Sequence, residues 1–194
     1  MTLNKILEDP NGINEADLLI IESKFSGMPF TYRMSTSPSF PYYQHPLVER
    51  NEKIDETIPV EPCSDAFPFF WTIMHNFMEK WDLKYRSIIR GCINNTYHLP
   101  FEYGDPHVDA KVPHYVLIMY LNNASGNTVV FDETYPENDK GMYLQSQQGK
   151  HFTIKKEITP QRGKIAVFDG KHYHTNRCTG IGEHRSICIF NLLA

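Results

Sequence analysis

No stretch of this 194-residue chain approaches the roughly 20 consecutive apolar residues that a membrane helix requires, so no membrane partner is expected. Cysteine is scarce: Cys63, Cys92, Cys178 and Cys188 are the whole set, and none forms a CxxC pair. That spacing disfavours a zinc knuckle, and a chain of this length does not need disulfide staples. Reduced thiols in a cytoplasmic protein are the expectation. The opening residues, MTLNKILEDPNG, put Glu8 and Asp9 where a secretion signal would be apolar, so secretion is not expected. Neither sign of charge dominates: 19 basic and 23 acidic residues leave a net charge of -4, which gives no general attraction to phosphate backbones. The sequence has no internal repeat and no low-complexity tract.

What is present is bulk. Twelve Phe, eleven Tyr and two Trp supply one sizeable core and exclude disorder over most of the chain. The length suggests one domain. Residues 14–25 read as a short helix capped by Asn14, with Leu18, Leu19 and Ile21 on the buried side. Phe30 to Met34 can form a strand. Residues 35–64 carry Pro38, Pro41, Pro46, Pro59 and Pro62, a density that opposes regular structure, so they read as a long surface segment: a binding loop, a lid or a plain wrapping arm. Residues 65–81 are the clearest helix. Phe67, Phe70, Trp71, Met74, Phe77, Met78 and Trp81 recur at spacings of three and four, Asp65 or Ser64 can cap it, and Pro68 fits the first turn. Such a stripe is expected to pack against a sheet.

From residue 85 the period becomes two. Strands are expected at 86–95, 113–121, 127–132, 151–157, 163–168 and 184–192, separated by turn signals and with no helix between them. The fold class is therefore mainly β with supporting helices (α+β), as an antiparallel sandwich or barrel of jelly-roll type. Residues 1–85 would be a helical support with a variable leading segment, and 86–194 the β core.

The nine histidines are the unusual inventory, and they cluster. In Gly104-Asp105-Pro106-His107-Val108-Asp109, an imidazole and a carboxylate two apart share one side of an extended backbone. Phe168-Asp169-Gly170-Lys171-His172-Tyr173-His174 closes a strand and supplies further imidazoles. Two histidines and one carboxylate on one face of an octahedral ion leave three positions open, the ligand set of non-haem Fe(II) oxygenases. Alone, HxD is weak and suits a solvated loop equally. Arg185 sharpens it. It follows His174 by eleven residues, across a turn made by Thr179, Gly180 and Gly182, and it shares a strand face with Ile187, Ile189 and Asn191. An inward guanidinium needs an anion, and beside a metal it suits a dicarboxylate. The alternative puts Arg185 on the solvent face, paired with Glu183 or Asp169. Arg90 and Asn94 share a face of strand 86–95 and line a substrate pocket or lie on an exposed edge.

The order of His107-Val108-Asp109, Tyr120-Leu121-Asn122, Ser125-Gly126-Asn127-Thr128, His174 and Arg185 resembles the 2-oxoglutarate/Fe(II)-dependent dioxygenases. Within them it is most similar to the prolyl 4-hydroxylase-like group, including small bacterial and bacteriophage members, over roughly residues 86–194. The resemblance implies a double-stranded β-helix (cupin-like) fold, Fe(II) held by His107, Asp109 and His174, and 2-oxoglutarate held at its far carboxylate by Arg185 and Tyr120. It implies O2 as second cosubstrate, hydroxylation of a C–H bond, and release of succinate and CO2. Tyr97, ten residues before His107, matches another tyrosine that faces the cosubstrate; both tyrosines also suit a core. Two features depart from the pattern. Ser125 stands where a glycine is usual in the turn, and His172 competes with His174; the turn at Gly170 and the offset to Arg185 favour His174, leaving His172 as pocket wall or as a group behind the ligands. Asp109 favours hydroxylation over halogenation, since an open position there would admit a halide. A peptide, prolyl or otherwise, or a small molecule would be the substrate, with residues 35–64 and 133–142 as candidate rims. A non-catalytic cupin-like binding protein is the alternative from another class; hydroxylation of a free amino acid or a nucleic-acid base is the enzymatic one, the base being disfavoured by the acidic balance.

Overall fold

The computed structural model describes residue 3 and residues 5–34, 40–51, 60–135 and 151–194. Two helices, α1 (Glu15–Phe25) and α2 (Phe67–Lys80), precede most of the strands. Asn14 caps α1 as its sequence suggests: its Oδ1 accepts from the Asp17 backbone N–H at 2.9 Å. Leu18 and Ile21 are buried, whereas Leu19 turns outward. α2 starts two residues later than expected. Pro68 is its second residue, and Ser64 Oγ accepts from the Ala66 N–H rather than from the helix itself. Its buried side is Phe70, Ile73, Met74, Phe77 and Met78, while Trp71 and Trp81 lie at the rim.

The strands are β1 (Leu7–Asp9), β2 (Thr31–Met34), β3 (Pro41–Val48), β4 (Ser87–Tyr97), β5 (His114–Tyr120), β6 (Thr128–Thr134), β7 (Ile154–Ile158), β8 (Ile165–Asp169), β9 (His172–Asn176) and β10 (His184–Leu193). They form a seven-stranded sheet in the order β1-β8-β5-β10-β4-β3-β2 and a three-stranded sheet in the order β7-β6-β9. Every pairing among them is antiparallel. After β5 the chain passes to the small sheet, returns for β8, crosses again for β9 and comes back for β10. That alternation is the jelly-roll winding of a double-stranded β-helix.

Both faces of the large sheet are covered at β5, which explains why that strand is buried throughout instead of alternating. Leu117 and Met119 pack with α1 and α2 residues on the outer face. Val116, Ile118 and Tyr120 point between the sheets, with Phe168, Ile187 and Ile189. No helix among the described residues is long and apolar enough to cross a membrane.

The proline-rich segment departs from expectation. Residues 35–39 and 52–59 lie outside the described residues, as do residues 136–142 of the second rim, but Pro41–Val48 form β3, paired with both β2 and β4. The prolines fall where a strand tolerates them. Pro41 is the first residue, and Pro46 lies beyond the reach of β2 and beside the register shift that follows it on β4.

The turn from β8 to β9 decides where His174 falls, and it depends on Gly170. The Gly170 N–H donates to the His114 carbonyl at 2.8 Å, and a Cβ on Gly170 would overlap the buried His114 imidazole. Gly170→Ala is expected to cost about 1–3 kcal/mol, read as a lower urea midpoint with an unchanged slope.

Candidate metal and cosubstrate site

Residues 103–107 run beside β9 as a partial extra strand. The His107 N–H donates to the His174 carbonyl at 2.9 Å, and the His174 N–H donates back to His107 at 2.8 Å. This reciprocal pair puts the two imidazoles side by side, ring centroids 4.7 Å apart. Each ring is fixed by a carbonyl two residues earlier. His107 Nδ1 lies 3.0 Å from the Asp105 oxygen, and His174 Nδ1 lies 3.1 Å from the His172 oxygen. With Nδ1–H donating there, each Nε2 presents a lone pair inward. Those two nitrogens converge on Asp109: His174 Nε2 is 3.3 Å from Oδ2, and His107 Nε2 is 3.9 Å from Oδ1. One ligand atom from each of the three lies within 4.8 Å of the others, the arrangement that can hold a metal ion.

The charge states suit that task. Burial works to raise the Asp109 carboxyl, but His174, His107 and Arg90 outweigh it and hold it well below the usual carboxylate range. Burial, and then the neighbouring His174 ring, push the His107 imidazole below its ordinary value, towards the neutral form that ligates. Asp109 is also held from behind. Asn191 Nδ2 donates to Oδ2 at 2.8 Å, and Arg50 Nη2 donates to the Asp109 backbone carbonyl at 2.8 Å.

From this corner a cavity of about 160 Å³ runs between the sheets, with Arg185 and Thr128 in its lining. Arg185 is 3% exposed. Its Nη2 donates to Thr128 Oγ1 at 2.6 Å, and its guanidinium lies over the Tyr120 ring at 5.6 Å. Its Nε is buried without a partner. Among the described residues no carboxylate pairs with it: Glu183 instead accepts from Ser125, and Asp169 pairs with Lys171. Burial accordingly lowers the Arg185 pKa from its ordinary value. A buried cation with no counter-ion is costly, and one that borders a cavity is poised for an anionic ligand.

No protein-family model matches this chain, and no curated protein matches it in sequence. Solved structures do. An oxidoreductase of the 2OG-Fe(II) oxygenase family from Burkholderia pseudomallei is similar at TM-score 0.69 and 14% identity, over 97% of this chain and 84% of that one. HygX from Streptomyces hygroscopicus, solved with nickel, 2-oxoglutarate and hygromycin B, is similar at TM-score 0.60 and 10% identity, over 96% and 82%. A prolyl hydroxylase from Trichoplax adhaerens, solved with a hypoxia inducible factor peptide fragment, is similar at TM-score 0.61 and 10% identity, over 98% and 84%. The chain has the fold of the 2-oxoglutarate/Fe(II) oxygenases.

Within that oxygenase fold the residues singled out by sequence do not all converge. His107, Asp109, His174 and Arg185 meet at one cavity, as do Arg90 and Asn94 from the inner face of β4. His172 does not join the cluster. It lies one step back along β9, where its Nε2 is 3.2 Å from Lys155 Nζ on β7, and it does not line the cavity. Tyr97 is not in the cavity either. Thr96 takes the inward place on β4, so strand alternation turns Tyr97 to the other face, 47% exposed and edge-on to Tyr43 at 5.8 Å. Tyr120 is fully buried behind the cavity wall, and its hydroxyl donates to Thr128 Oγ1 at 2.7 Å. Thr128, read from the sequence only as part of a turn motif, is thus the hydroxyl to which both Tyr120 and Arg185 donate. Asn191 was legible as a face-mate of Arg185, but nothing in its spacing pointed to Asp109. Tyr42, from the 35–64 segment that the sequence offered as a candidate rim, joins the lining.

Proposed function

We propose that this chain is a 2-oxoglutarate- and Fe(II)-dependent oxygenase that hydroxylates an unactivated C–H bond, with a prolyl or other peptide residue, or a small molecule, as substrate. The observation that carries the reading is Arg185: a buried guanidinium without an anion opens onto the same small cavity as the His107–Asp109–His174 corner. A cavity of about 160 Å³ is smaller than the clefts of about 300–1,000 Å³ that hold drug-sized ligands, and suits a compact dicarboxylate.

The donor set fits Fe(II): two neutral imidazoles and one carboxylate balance one of its two charges and leave a face open. When bound, Fe(II) with 2-oxoglutarate and O2 supplies the oxidation, giving hydroxylated product, succinate and CO2. The protein's part is orientation and exclusion of water. His107 and His174 hold their Nε2 lone pairs on the metal position through the Asp105 and His172 carbonyls. Asn191 keeps the Asp109 carboxylate turned towards it. Arg185 takes the far carboxylate of the cosubstrate. Thr128 Oγ1 already accepts from both Arg185 and Tyr120, so its own hydroxyl proton is left to donate to that carboxylate. Tyr120 then acts through Thr128 rather than by direct contact. Ile118, Ile187 and Ile189 form the apolar wall beside it.

The test is anaerobic loading with Fe(II) and 2-oxoglutarate, then exposure to O2 with pools of peptides and amino acids. Succinate formed in step with a product 16 mass units heavier than its substrate, on the order of one to one, supports the reading. Absence of any 2-oxoglutarate binding removes it.

A further inference from the structure

The charged side chains of the cavity lining are Arg90, Asp109 and Arg185: two guanidiniums and one carboxylate. An Fe(II) dication and a 2-oxoglutarate dianion cancel, so loading the site leaves that excess of positive charge in place. Arg185 is engaged with Thr128 at the cosubstrate end. Arg90 is the second cation; it forms a long ion pair with Asp109 and touches the Cys92 thiol. Its side chain is 17% exposed, and its Nη1 lies 3.7 Å from Asp109 Oδ1, outside hydrogen-bond range. The other oxygen of Asp109 is already held by Asn191.

The two arginines do not serve the same ligand group. On the paired strands β4 and β10, Arg185 is opposite Thr96 and Arg90 is opposite Asn191. Six residues of strand separate those positions, roughly 20 Å along the backbone. A small dicarboxylate anchored at the metal and at Arg185 leaves Arg90 on the other side of the metal position. Further along the same face, beyond Cys92, Asn94 has its amide oxygen occupied by Gln44 Nε2 at 3.1 Å and by the Cys92 thiol at 3.5 Å, which leaves its NH2 as a donor. A fork-shaped cation and an amide donor that line one cavity suit a planar anionic acceptor.

Building on the oxygenase reading, we infer that Arg90 anchors the substrate and that the substrate presents a carboxylate to it. Two sources carry that chemistry: the α-carboxylate of a free amino acid, or an Asp or Glu side chain in a peptide.

The experiment titrates the protein, loaded with redox-inert Mn(II) and 2-oxoglutarate, by calorimetry. One arm compares N-acetyl amino acids with their neutral amides. The other compares the N-acetyl amides of Asp and Glu with those of Asn and Gln. One arm is expected to show the carboxylate form binding about 10- to 100-fold more tightly than its neutral counterpart. Arg90→Gln is expected to erase that preference, and Arg90→Lys to keep part of it, each variant being checked first for 2-oxoglutarate binding. Equal affinity for charged and neutral probes, no binding of any probe, or a preference that survives Arg90→Gln overturns the inference while leaving the oxygenase reading intact. Failure to bind 2-oxoglutarate appears before any probe is added and overturns both.

Discussion

His174→Ala is expected to abolish Fe(II) binding and succinate formation together, whereas His172→Ala keeps both within about 10-fold of the native protein. The two histidines lie two apart on β9, and their sequence context separates them only by a turn and an offset. Their surroundings differ in kind. His174 contributes an Nε2 3.3 Å from Asp109, with its ring held against His107 and Phe168. His172 reaches Lys155, and the contact it gives the cluster is its backbone carbonyl, which alanine retains. Removing one of three protein ligands leaves an incomplete face, and the loss should exceed the roughly 10- to 100-fold typical of changes beyond the ligands themselves. Metal content after anaerobic dialysis and succinate yield are the two readouts. Loss of metal in His172→Ala with retention in His174→Ala would reverse the assignment.

Arg185→Met is expected to raise the KM for 2-oxoglutarate by about 100-fold or more and, in the same protein, to stabilise the metal-free chain. The first effect follows from leaving the far carboxylate of the cosubstrate without its cation. The second follows from burial. In the absence of ligand, Arg185 is a desolvated guanidinium whose Nε has no partner and which has no carboxylate among the described residues. A side chain of similar length without charge removes that penalty, worth about 1–4 kcal/mol by analogy with buried ion pairs replaced by apolar groups. Tyr120 and Thr128 remain bonded to each other after the change. Thermal unfolding without ligand and steady-state kinetics across 2-oxoglutarate concentrations measure the two halves. A KM that does not move removes Arg185 from the cosubstrate site. A large loss of apo stability would mean that the guanidinium is paired in a way that its burial does not reveal.

Most of the β core was legible because short β-rich runs are separated by clear turns, although β5, β8 and β10 are buried on both faces instead of alternating and β9 was not among the expected strands. His107, Asp109, His174 and Arg185 stood out because such side chains have few structural uses at such positions. What was not legible depended on neighbours far away in the chain. β3 was obscured because proline content cannot tell an interior strand from one whose prolines sit at its start and beyond its partner's end. Tyr97 was misplaced by one residue of strand alternation, since the inward place belongs to Thr96. Tyr120 fell in the right region with a different contact, because Thr128 on β6 intercepts its hydroxyl. Asn191 meets Asp109 across a sequence separation of 82, and no local pattern encodes that pairing.

On the proposed reading, His107, Asp109 and His174 hold one metal ion while Arg185 holds the far carboxylate of 2-oxoglutarate in the same cavity. A crystal structure of the protein grown anaerobically with Mn(II) and 2-oxoglutarate tests it most directly. The expected result is one metal bound by His107 Nε2, His174 Nε2 and an Asp109 oxygen, with the Arg185 guanidinium and the Thr128 hydroxyl on the distal carboxylate. Metal bound elsewhere, or a keto acid that leaves Arg185 untouched, would contradict it.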